Sequence, residues 1–209
     1  MKNTREFDDA TKESDLLKIV KEDALRILGE MKKKVSSKSL RRKIKVSPAF
    51  ISEAIESLEK EDMISVENGF VELTKSGQDE AKDLIEKHLV LENYFKATRS
   101  EREAHRAAHL LEHYVSGQVI DNIKRMSTLK KEGVPLIQFG LNREGLITAI
   151  MFSDYKLFER MISMGILPGE VLEVTHMIPS GVVVRTSNKK IVLDKTIAKD
   201  IKVLAYEEI

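Results

Sequence analysis

Apolar residues at helical spacing mark the first part of the chain. They recur over residues 14–31 and predict an amphipathic helix, whereas residues 1–13 are polar and are predicted to form a loose arm. Ser36 or Ser37 can cap a second, short helix that runs through Ile44, because serine is a favoured N-cap residue. The pattern therefore predicts a long helix followed by a short one.

A third helix and a hairpin are predicted next. Ser47 and Pro48 indicate the start of the helix, since serine favours the N-cap and proline the first helical position. Residues 63–66 and 70–73 are short apolar runs joined by Asn-Gly at 68–69, the strongest local signal for a β-hairpin. Three helices followed directly by a hairpin predict a winged helix-turn-helix.

The middle of the chain is predicted to hold two long helices. Residues 76–77, Ser-Gly, predict a break, after which a helix extends to about Thr98. Ser100 and Glu103 have the spacing of a capping box, so the next helix is predicted to begin there. That helix is predicted to run to about Met126, with Gly117 inside it.

Beyond that helix, short apolar runs alternate with turn residues. Residues 128–145 are rich in Gly and Lys and predict a connection, and residues 157–164 predict a short helix. Four short strands are predicted at residues 170–177, 181–186, 189–193 and 201–205. Strands of this length and spacing predict a small β-barrel.

Composition narrows the class of protein. The chain has 209 residues, of which 42% are apolar and 33% charged, so we expect a soluble globular protein of one to three domains. It contains no cysteine, which excludes disulfides and thiolate metal sites and fits a reducing cytoplasm. No apolar run approaches the roughly 20 residues of a membrane span. The N-terminus lacks the apolar core of a secretory signal, so we expect a cytoplasmic protein with no membrane partner.

A basic run lies within the predicted helix-turn-helix. Residues 32–45 hold eight Lys or Arg and no acid, although the net charge of the whole chain is only +1. A charge run is often no more than a solvated face, but phosphates would lie beside this segment in a winged helix-turn-helix. We expect the DNA backbone to be contacted by Lys38, Arg41, Arg42 and Lys43. We expect the major groove to be faced by the start of the third helix, at Ser47, Pro48, Ala49, Phe50 and Ser52.

The strongest chemical signal is a group of histidines and glutamates. Four of these side chains would share one helix face, at His105, His109, Glu112 and His113. The preceding helix offers a second group, His88 and Glu92, one turn apart. Imidazole and carboxylate together suit Mn²⁺, Fe²⁺, Co²⁺, Ni²⁺ or Zn²⁺ rather than Ca²⁺ or Mg²⁺. The alternative is a polar surface held together by ion pairs.

These features resemble the diphtheria-toxin-repressor (DtxR/MntR) family. The resemblance rests on the winged helix-turn-helix, on the spacing of the six histidines and glutamates above, and on two shorter motifs at residues 22–25 and 46–48. Residues 164–169, Met-Gly-Ile-Leu-Pro-Gly, are similar to the FeoA-type C-terminal domain, which resembles a Src-homology-3 barrel. The likeness extends over nearly the whole chain from about residue 14.

The resemblance implies a fold class and a set of domains. The fold would be mainly α with α+β parts. Residues 1–75 would form the winged helix-turn-helix, residues 76–128 a helical metal-binding and dimerisation domain, residues 129–145 a linker, and residues 146–209 the FeoA-like, SH3-like barrel. The middle helices would supply the dimer interface, with five candidate residues: Leu110, Leu111, Tyr114, Val115 and Val119.

The resemblance also implies two metal sites in each subunit. The regulatory site would consist of Asp23, His109, Glu112 and His113, and the ancillary site of His88, Glu92 and His105. Asp23 and His109 replace the Met and Cys of iron-type members, which favours manganese, whereas Arg26 replaces a Glu of manganese-type members. The barrel positions that supply ligands in iron-type members are Ala149 and Phe152 here, so we do not expect ligands from the barrel.

The function implied is that of a repressor dependent on Fe²⁺ or Mn²⁺, with Zn²⁺, Co²⁺ or Ni²⁺ able to bind in vitro. As a homodimer it would bind a palindromic operator in double-stranded DNA and control metal-homeostasis genes. Two alternatives stay open. One is a winged-helix regulator that responds to a small molecule without metal. The other, a helical dinuclear-metal enzyme, would need a paired Glu-x-x-His that the chain lacks, so we do not expect an enzyme.

Overall fold

The computed structural model describes residues 3–128, 133–187 and 189–208. The chain divides into two compact units, one up to Leu89 and one from Val90 onward. Each unit has its own hydrophobic core. Within the described ranges, no helix combines the length and apolar character needed to cross a membrane.

The first unit contains a helix-turn-helix followed by a hairpin. Its elements are α1 (Asn3–Met31), β1 (Val35–Ser36), α2 (Ser37–Lys43), α3 (Pro48–Lys60), β2 (Ile64–Glu67), β3 (Phe70–Leu73) and the start of α4 (Lys75–Lys96). The three strands form an antiparallel sheet in the order β1-β3-β2. The buried core residues of the unit come from all of these elements, including Leu28, Leu40, Leu58 and Val71.

Local signals in the sequence fix these elements where they were predicted. Ser36 caps α2 by accepting a hydrogen bond from the backbone N–H of Ser39, at 3.2 Å. Ser47 caps α3 and Pro48 occupies its first position. The turn residues of the hairpin have positive φ angles of 49° and 78° at Asn68 and Gly69, as a type I′ turn requires. The winged helix-turn-helix is therefore confirmed as a fold.

Two predictions for the first unit are wrong. Helix α1 begins at Asn3, not at residue 14, since the polar segment contains no Gly or Pro that would stop the helix. Gly77 does not break the chain but lies in the first turn of α4. A Cβ atom there would lie 1.9 Å from the carbonyl oxygen of Met63, so the glycine permits close packing against the start of the hairpin.

The second unit combines helices with a larger sheet. Its helices, after the end of α4, are α5 (Glu101–Leu111), α6 (Gly117–Thr128), α7 (Tyr155–Ser163) and α8 (Lys195–Lys199). Its strands are β4 (Val134–Pro135), β5 (Glu144–Ile150), β6 (Val171–Ile178), β7 (Gly181–Thr186), β8 (Lys190–Asp194) and β9 (Ile201–Ala205). The sheet is antiparallel throughout, in the order β4-β9-β5-β6-β7-β8. The predicted fold class, mainly α with α+β parts, is confirmed, with helical N-terminal and central regions and a six-stranded antiparallel sheet in the C-terminal part.

The segment predicted as a connection contains regular structure. Strand β4, a 3₁₀ turn at Leu136–Gln138 and the start of β5 all lie between residues 133 and 145. The glycines that predicted a loop allow close approach instead. A Cβ atom at Gly145 would lie 2.3 Å from Cγ1 of Val203 on the neighbouring strand β9. Because glycine favours both loops and tight packing, its presence alone did not distinguish them.

The helix predicted from Ser100 to Met126 is two helices. Helix α5 ends at Leu111 and α6 begins at Gly117. The hydroxyl of Ser116 accepts a hydrogen bond from the backbone N–H of Val119 at 3.3 Å and so caps α6. Glu112 and His113 therefore follow the last turn of α5 instead of lying within a longer helix.

One core holds the helices and strands of the second unit together. It includes buried residues of α5 and α6, of α7 and of the sheet, among them Leu111, Ile123, Phe158, Leu172 and Val203. Helix α5 packs onto this core through Ala104, Ala107, Ala108 and Leu111. Its other face, which carries His105 and His109, is therefore left available for chemistry.

Candidate metal centre

A capping box fixes the start of α5. The Ser100 hydroxyl donates to Oε2 of Glu103 at 2.6 Å, and the backbone N–H of Ser100 donates to the same oxygen at 3.2 Å. In return, the N–H of Glu103 donates to the Ser100 hydroxyl. The two hydrogen bonds that Ser100 donates, first the one from its hydroxyl and then the one from its backbone, lower the pKa of Glu103 below its ordinary value. The reciprocal bonds satisfy donors that the first helical turn leaves open and so set the register of α5.

Three predicted ligands lie together at the end of α5. Nδ1 of His109 is 3.2 Å from Oε1 of Glu112, and Nε2 of His113 is 3.6 Å from the same oxygen. One donor atom from each residue lies within 4.8 Å of the others. We call this group the His109–Glu112–His113 cluster. Two imidazoles thus converge on one carboxylate, an arrangement that can surround a cation.

Two of the three side chains of this cluster are buried, which makes the charge on Glu112 costly. The Glu112 side chain is 2% exposed and that of His113 is 6% exposed, whereas the His109 side chain is 41% exposed. A buried carboxylate is costly unless charge and hydrogen bonds compensate it. A divalent cation held by all three residues would supply that charge, and the exposed His109 edge would give it access. The donor set fits Mn²⁺, Fe²⁺, Co²⁺ or Zn²⁺.

Two further predicted ligands, one on α4 and one on α5, form a separate group. Nδ1 of His105 is 3.0 Å from Oε2 of Glu92, and Nζ of Lys96 is 2.7 Å from Oε1 of Glu92. The hydrogen bond to Glu92 raises the pKa of Lys96. We call this the Glu92–His105 pair. Its carboxylate already has a cationic partner, with which a metal ion would have to compete.

Asp23 and His88 belong to the first unit. His88 is a buried residue of α4, one turn before Glu92 on the same helix. Asp23 lies on α1, with Oδ1 3.6 Å from Nη2 of Arg26, and Arg26 is also paired with Glu30 at 2.6 Å. The roles of Asp23 and His88 as metal ligands remain predictions.

No pattern in the sequence indicates the contact between α5 and α7. The guanidinium of Arg106 stacks 3.5 Å from the ring centroid of Tyr155, and the Tyr155 hydroxyl donates to the backbone oxygen of Arg106 at 3.3 Å. Arg106 lies between His105 and His109 in sequence. This contact therefore helps to position the ligand-bearing helix, although its partners are 49 residues apart.

The predicted DNA-binding residues form an exposed face of α2 and α3. Lys38, Arg41, Arg42 and Lys43 are all exposed, as are Ser47, Pro48 and Ala49, while Phe50 and Ser52 are partly buried. Nη2 of Arg41 donates to the Ser52 hydroxyl at 2.9 Å, which in turn donates to the Pro48 oxygen at 3.0 Å. Hydrogen bonds thus join the basic helix to the start of α3. The contacts of these α2 and α3 residues with DNA remain a prediction.

Most of the predicted dimer residues are not available for an interface. Leu111, Val115 and Val119 are buried in the core of the second unit. Leu110 is partly buried, and Tyr114 is 51% exposed. The prediction is therefore wrong for the three buried residues, since their apolar spacing reflects packing within the subunit.

Two family models match the chain. Residues 74–129 match the iron dependent repressor, metal binding and dimerisation domain, and residues 134–205 match the FeoA domain. The first match contains every histidine and glutamate of the cluster and the pair. A comparison with curated proteins gives no match.

Several solved structures are similar over 88% of this chain. The manganese regulator SloR is 21% identical over 98% of its own length, with a TM-score of 0.47. A manganese-dependent transcriptional repressor in complex with manganese is 22% identical over 99% of its length, with a TM-score of 0.45. IdeR of T. acidophilum is 19% identical over 97% of its length, also with a TM-score of 0.45.

Proposed function

We propose that the chain is a member of the diphtheria-toxin-repressor family and acts as a transcriptional repressor activated by Mn²⁺ or Fe²⁺. The support is the match of residues 74–129 and 134–205 to two domain models, which together span more than half of the chain. In this proposal the first unit binds operator DNA and the second unit binds the metal. The repressed genes would be those of metal homeostasis.

The His109–Glu112–His113 cluster is the observation that carries the proposal. Three donors of the types that Mn²⁺ and Fe²⁺ accept lie within 4.8 Å of one another, and the central carboxylate is almost fully buried. A group placed only for solubility would leave its carboxylate in water, where hydration is favourable. The cluster lies inside the segment matched by the metal-binding domain model, which supports the same role.

The remaining ligands are assigned from the family resemblance. Asp23 would complete the cluster, and His88 would complete the Glu92–His105 pair. Support for Asp23 comes from its place on α1, which packs against α3 in the core of the first unit, the DNA-reading unit of this proposal. A metal held jointly by Asp23 and the cluster would make the DNA-reading unit sensitive to metal.

DNA binding would use the exposed face of α2 and α3. Arg41, Arg42 and Lys43 form the last turn of α2 and would neutralise phosphates. The exposed start of α3 would face the major groove. The domain name of the family match includes dimerisation, which supports a homodimer. Two recognition helices about 34 Å apart would then fit a palindromic operator.

A metal bound by His109, Glu112 and His113 would supply positive charge that neutralises the Glu112 carboxylate. The protein's part is to bind DNA better in the metal-bound state than in the metal-free state, because a ligand shifts an equilibrium only through its differential affinity. A coupling of roughly 1–3 kcal/mol would raise DNA affinity by about 5- to 150-fold.

A metal titration during DNA binding tests the proposal. Duplexes selected from a random pool with the full chain and Mn²⁺ would be bound again with Mn²⁺, Fe²⁺, Co²⁺, Zn²⁺ or a chelator. We expect tight binding only with metal. Equal binding in the chelator would favour the alternative of a regulator that responds to a small molecule. Turnover of an added substrate without any DNA binding would favour the enzyme.

A further inference from the structure

The first unit contains a cavity whose lining includes none of the predicted metal ligands and none of the individual residues predicted to contact DNA. It lies where the end of α1 faces strand β3 and the first turns of α4, and its volume is about 560 Å³. Sites for small ligands commonly have volumes in this range. All of its lining residues belong to the first unit.

The floor of the cavity is apolar. It is formed by Leu28 of α1, Leu73 of β3, and Ala81 and Ile85 of α4. Gly29 lets α1 approach α4 closely here, because a Cβ atom at this position would lie 2.9 Å from Cβ of Ala81. The floor can therefore shield a hydrocarbon or aromatic group from water.

The rim of the cavity is cationic. Four lysines line it, Lys32, Lys33, Lys34 and Lys82, together with the single carboxylate of Glu72. Glu72 is paired with Lys34, whose Nζ lies 2.9 Å from it, and Lys34 also lies 3.6 Å from Glu67. Among the residues that the structure describes, no carboxylate lies within 4.0 Å of the ammonium groups of the other three lysines. An unbalanced positive rim above an apolar floor attracts an anion with an apolar body.

We propose that this cavity binds a small amphipathic anion, with one carboxylate on a short hydrocarbon or aromatic body. The carboxylate would lie among Lys32, Lys33 and Lys82, and the apolar body would lie against Leu28 and Ile85. A neutral apolar molecule would leave the ammonium groups without an ionic partner. A small inorganic anion would leave the apolar floor in water. Both parts of the ligand are therefore needed.

Binding here would contact two elements of the winged helix-turn-helix. The cavity touches the end of α1 and strand β3, which is the second strand of the hairpin. A ligand that fixes these elements would bias the position of the hairpin relative to α3. Its effect on DNA affinity rests on the proposed function, whereas binding of the ligand does not.

Methyl-labelled NMR of the full chain, without metal or DNA, tests the binding itself. The probes are octanoate, acetate and 1-octanol. With octanoate we expect saturable shifts of the Leu28, Leu73, Ala81 and Ile85 methyl signals and no comparable shifts in the second unit. Acetate lacks the apolar body and octanol lacks the charge, so both should bind far more weakly. Absence of shifts with octanoate, or shifts spread over exposed methyls of both units, would overturn the proposal. Equal binding of octanol or acetate would overturn the ligand class.

A charge-reversal variant tests the cationic rim. Lys32→Glu combined with Lys82→Glu should weaken octanoate binding about tenfold or more, because both groups are exposed and close to the expected carboxylate. The matched control combines Lys60→Glu with Lys75→Glu, two exposed lysines of the same unit that do not line the cavity. An equal loss in both variants would show a general charge effect and contradict the site. A separate experiment would add octanoate to the full chain bound to the selected DNA duplexes. It would report any effect of the ligand on DNA affinity.

Discussion

The His109–Glu112–His113 cluster and the Glu92–His105 pair offer the same kinds of donor in different surroundings. In the cluster, a carboxylate that is 2% exposed receives two imidazoles. In the pair, a carboxylate that is 18% exposed faces one imidazole and shares its other oxygen with Lys96. The same types of donor are thus combined with burial and a second imidazole in the cluster, and with a competing cation in the pair.

This difference predicts an order of metal affinity. Water and salt weaken charge interactions far less at a buried site than at an exposed one. The cluster has already desolvated its carboxylate during folding, whereas a metal at the pair must compete with Lys96 for Glu92. We therefore expect the cluster to bind Mn²⁺ first and the pair to bind it second and more weakly.

The largest effect is expected for Glu112→Gln. The change removes the carboxylate of the His109–Glu112–His113 cluster while preserving the size of the side chain. We expect the tighter phase of Mn²⁺ binding, measured by calorimetry, to weaken roughly 100-fold or more, beyond the loss typical of outer-shell changes. Glu101→Gln, an exposed glutamate in the first turn of the same helix, is the control. An unchanged tight phase in Glu112→Gln would contradict the assigned order.

A smaller and more selective effect is expected for His105→Ala. It removes the imidazole that lies 3.0 Å from Glu92 but leaves the cluster intact. The weaker phase of Mn²⁺ binding should lose about tenfold in affinity while the tighter phase stays the same. His176→Ala changes an exposed histidine of β6 and should alter neither phase. If His105→Ala weakened the tight phase instead, the pair and not the cluster would be the primary site.

Removing the competing cation should have the opposite sign. In Lys96→Met, Glu92 loses its ammonium partner, and the carboxylate becomes available to a metal ion. Ion pairs with an exposed partner contribute little because solvent screens them, so the weaker phase should gain at most about fivefold in affinity. Lys75→Met, at the other end of α4, is the control. A loss of affinity in Lys96→Met would show that Lys96 positions Glu92 instead of competing for it.

The smallest effect on metal binding is expected from the helix cap. Ser100→Ala should destabilise the start of α5 by about 1 kcal/mol, which hydrogen exchange of the α5 amides would report. His105 lies closer to this cap than Glu112 does, so any loss of metal affinity should be greater in the weaker phase. Equal losses in both phases would mean that the cluster and the pair do not respond separately to the helix.

The cap also has a predictable pH dependence. Hydrogen bonds from Ser100 lower the pKa of Glu103, so the stabilisation is present above the ordinary carboxyl pKa and is lost as the pH falls through the lowered value. Ser100→Ala should remove most of this acid-dependent change in α5 protection. A wild-type protein whose α5 protection did not fall with pH would argue against the capping box.

Capping and turn residues in the sequence predicted the helix starts and the hairpin. Ser47, Ser100 and the Asn-Gly turn at residues 68–69 mark caps and a hairpin that the structure contains. The break between α5 and α6 was missed because apolar residues keep helical spacing across it, while the cap at Ser116 decides where the helix restarts. Glycines at 77 and 145 were misread for a related reason, since their neighbours come from distant strands or turns.

The metal candidates were predictable only in part. Spacing along a single predicted helix indicated that His109, Glu112 and His113 are ligands, and the structure brings these three together. Spacing could not show which carboxylate is buried, nor that Lys96 shares Glu92. The stacking of Arg106 on Tyr155 joins two helices far apart in sequence, and no local pattern marks it.

Anomalous scattering from a crystal of the full chain grown with limiting Mn²⁺ tests the central claim most directly. The account predicts the strongest manganese peak among the side chains of His109, Glu112 and His113, with a weaker peak at Glu92 and His105 as the Mn²⁺ concentration is raised. A strongest peak at Glu92 and His105, or no peak at the buried cluster at any concentration, would contradict it.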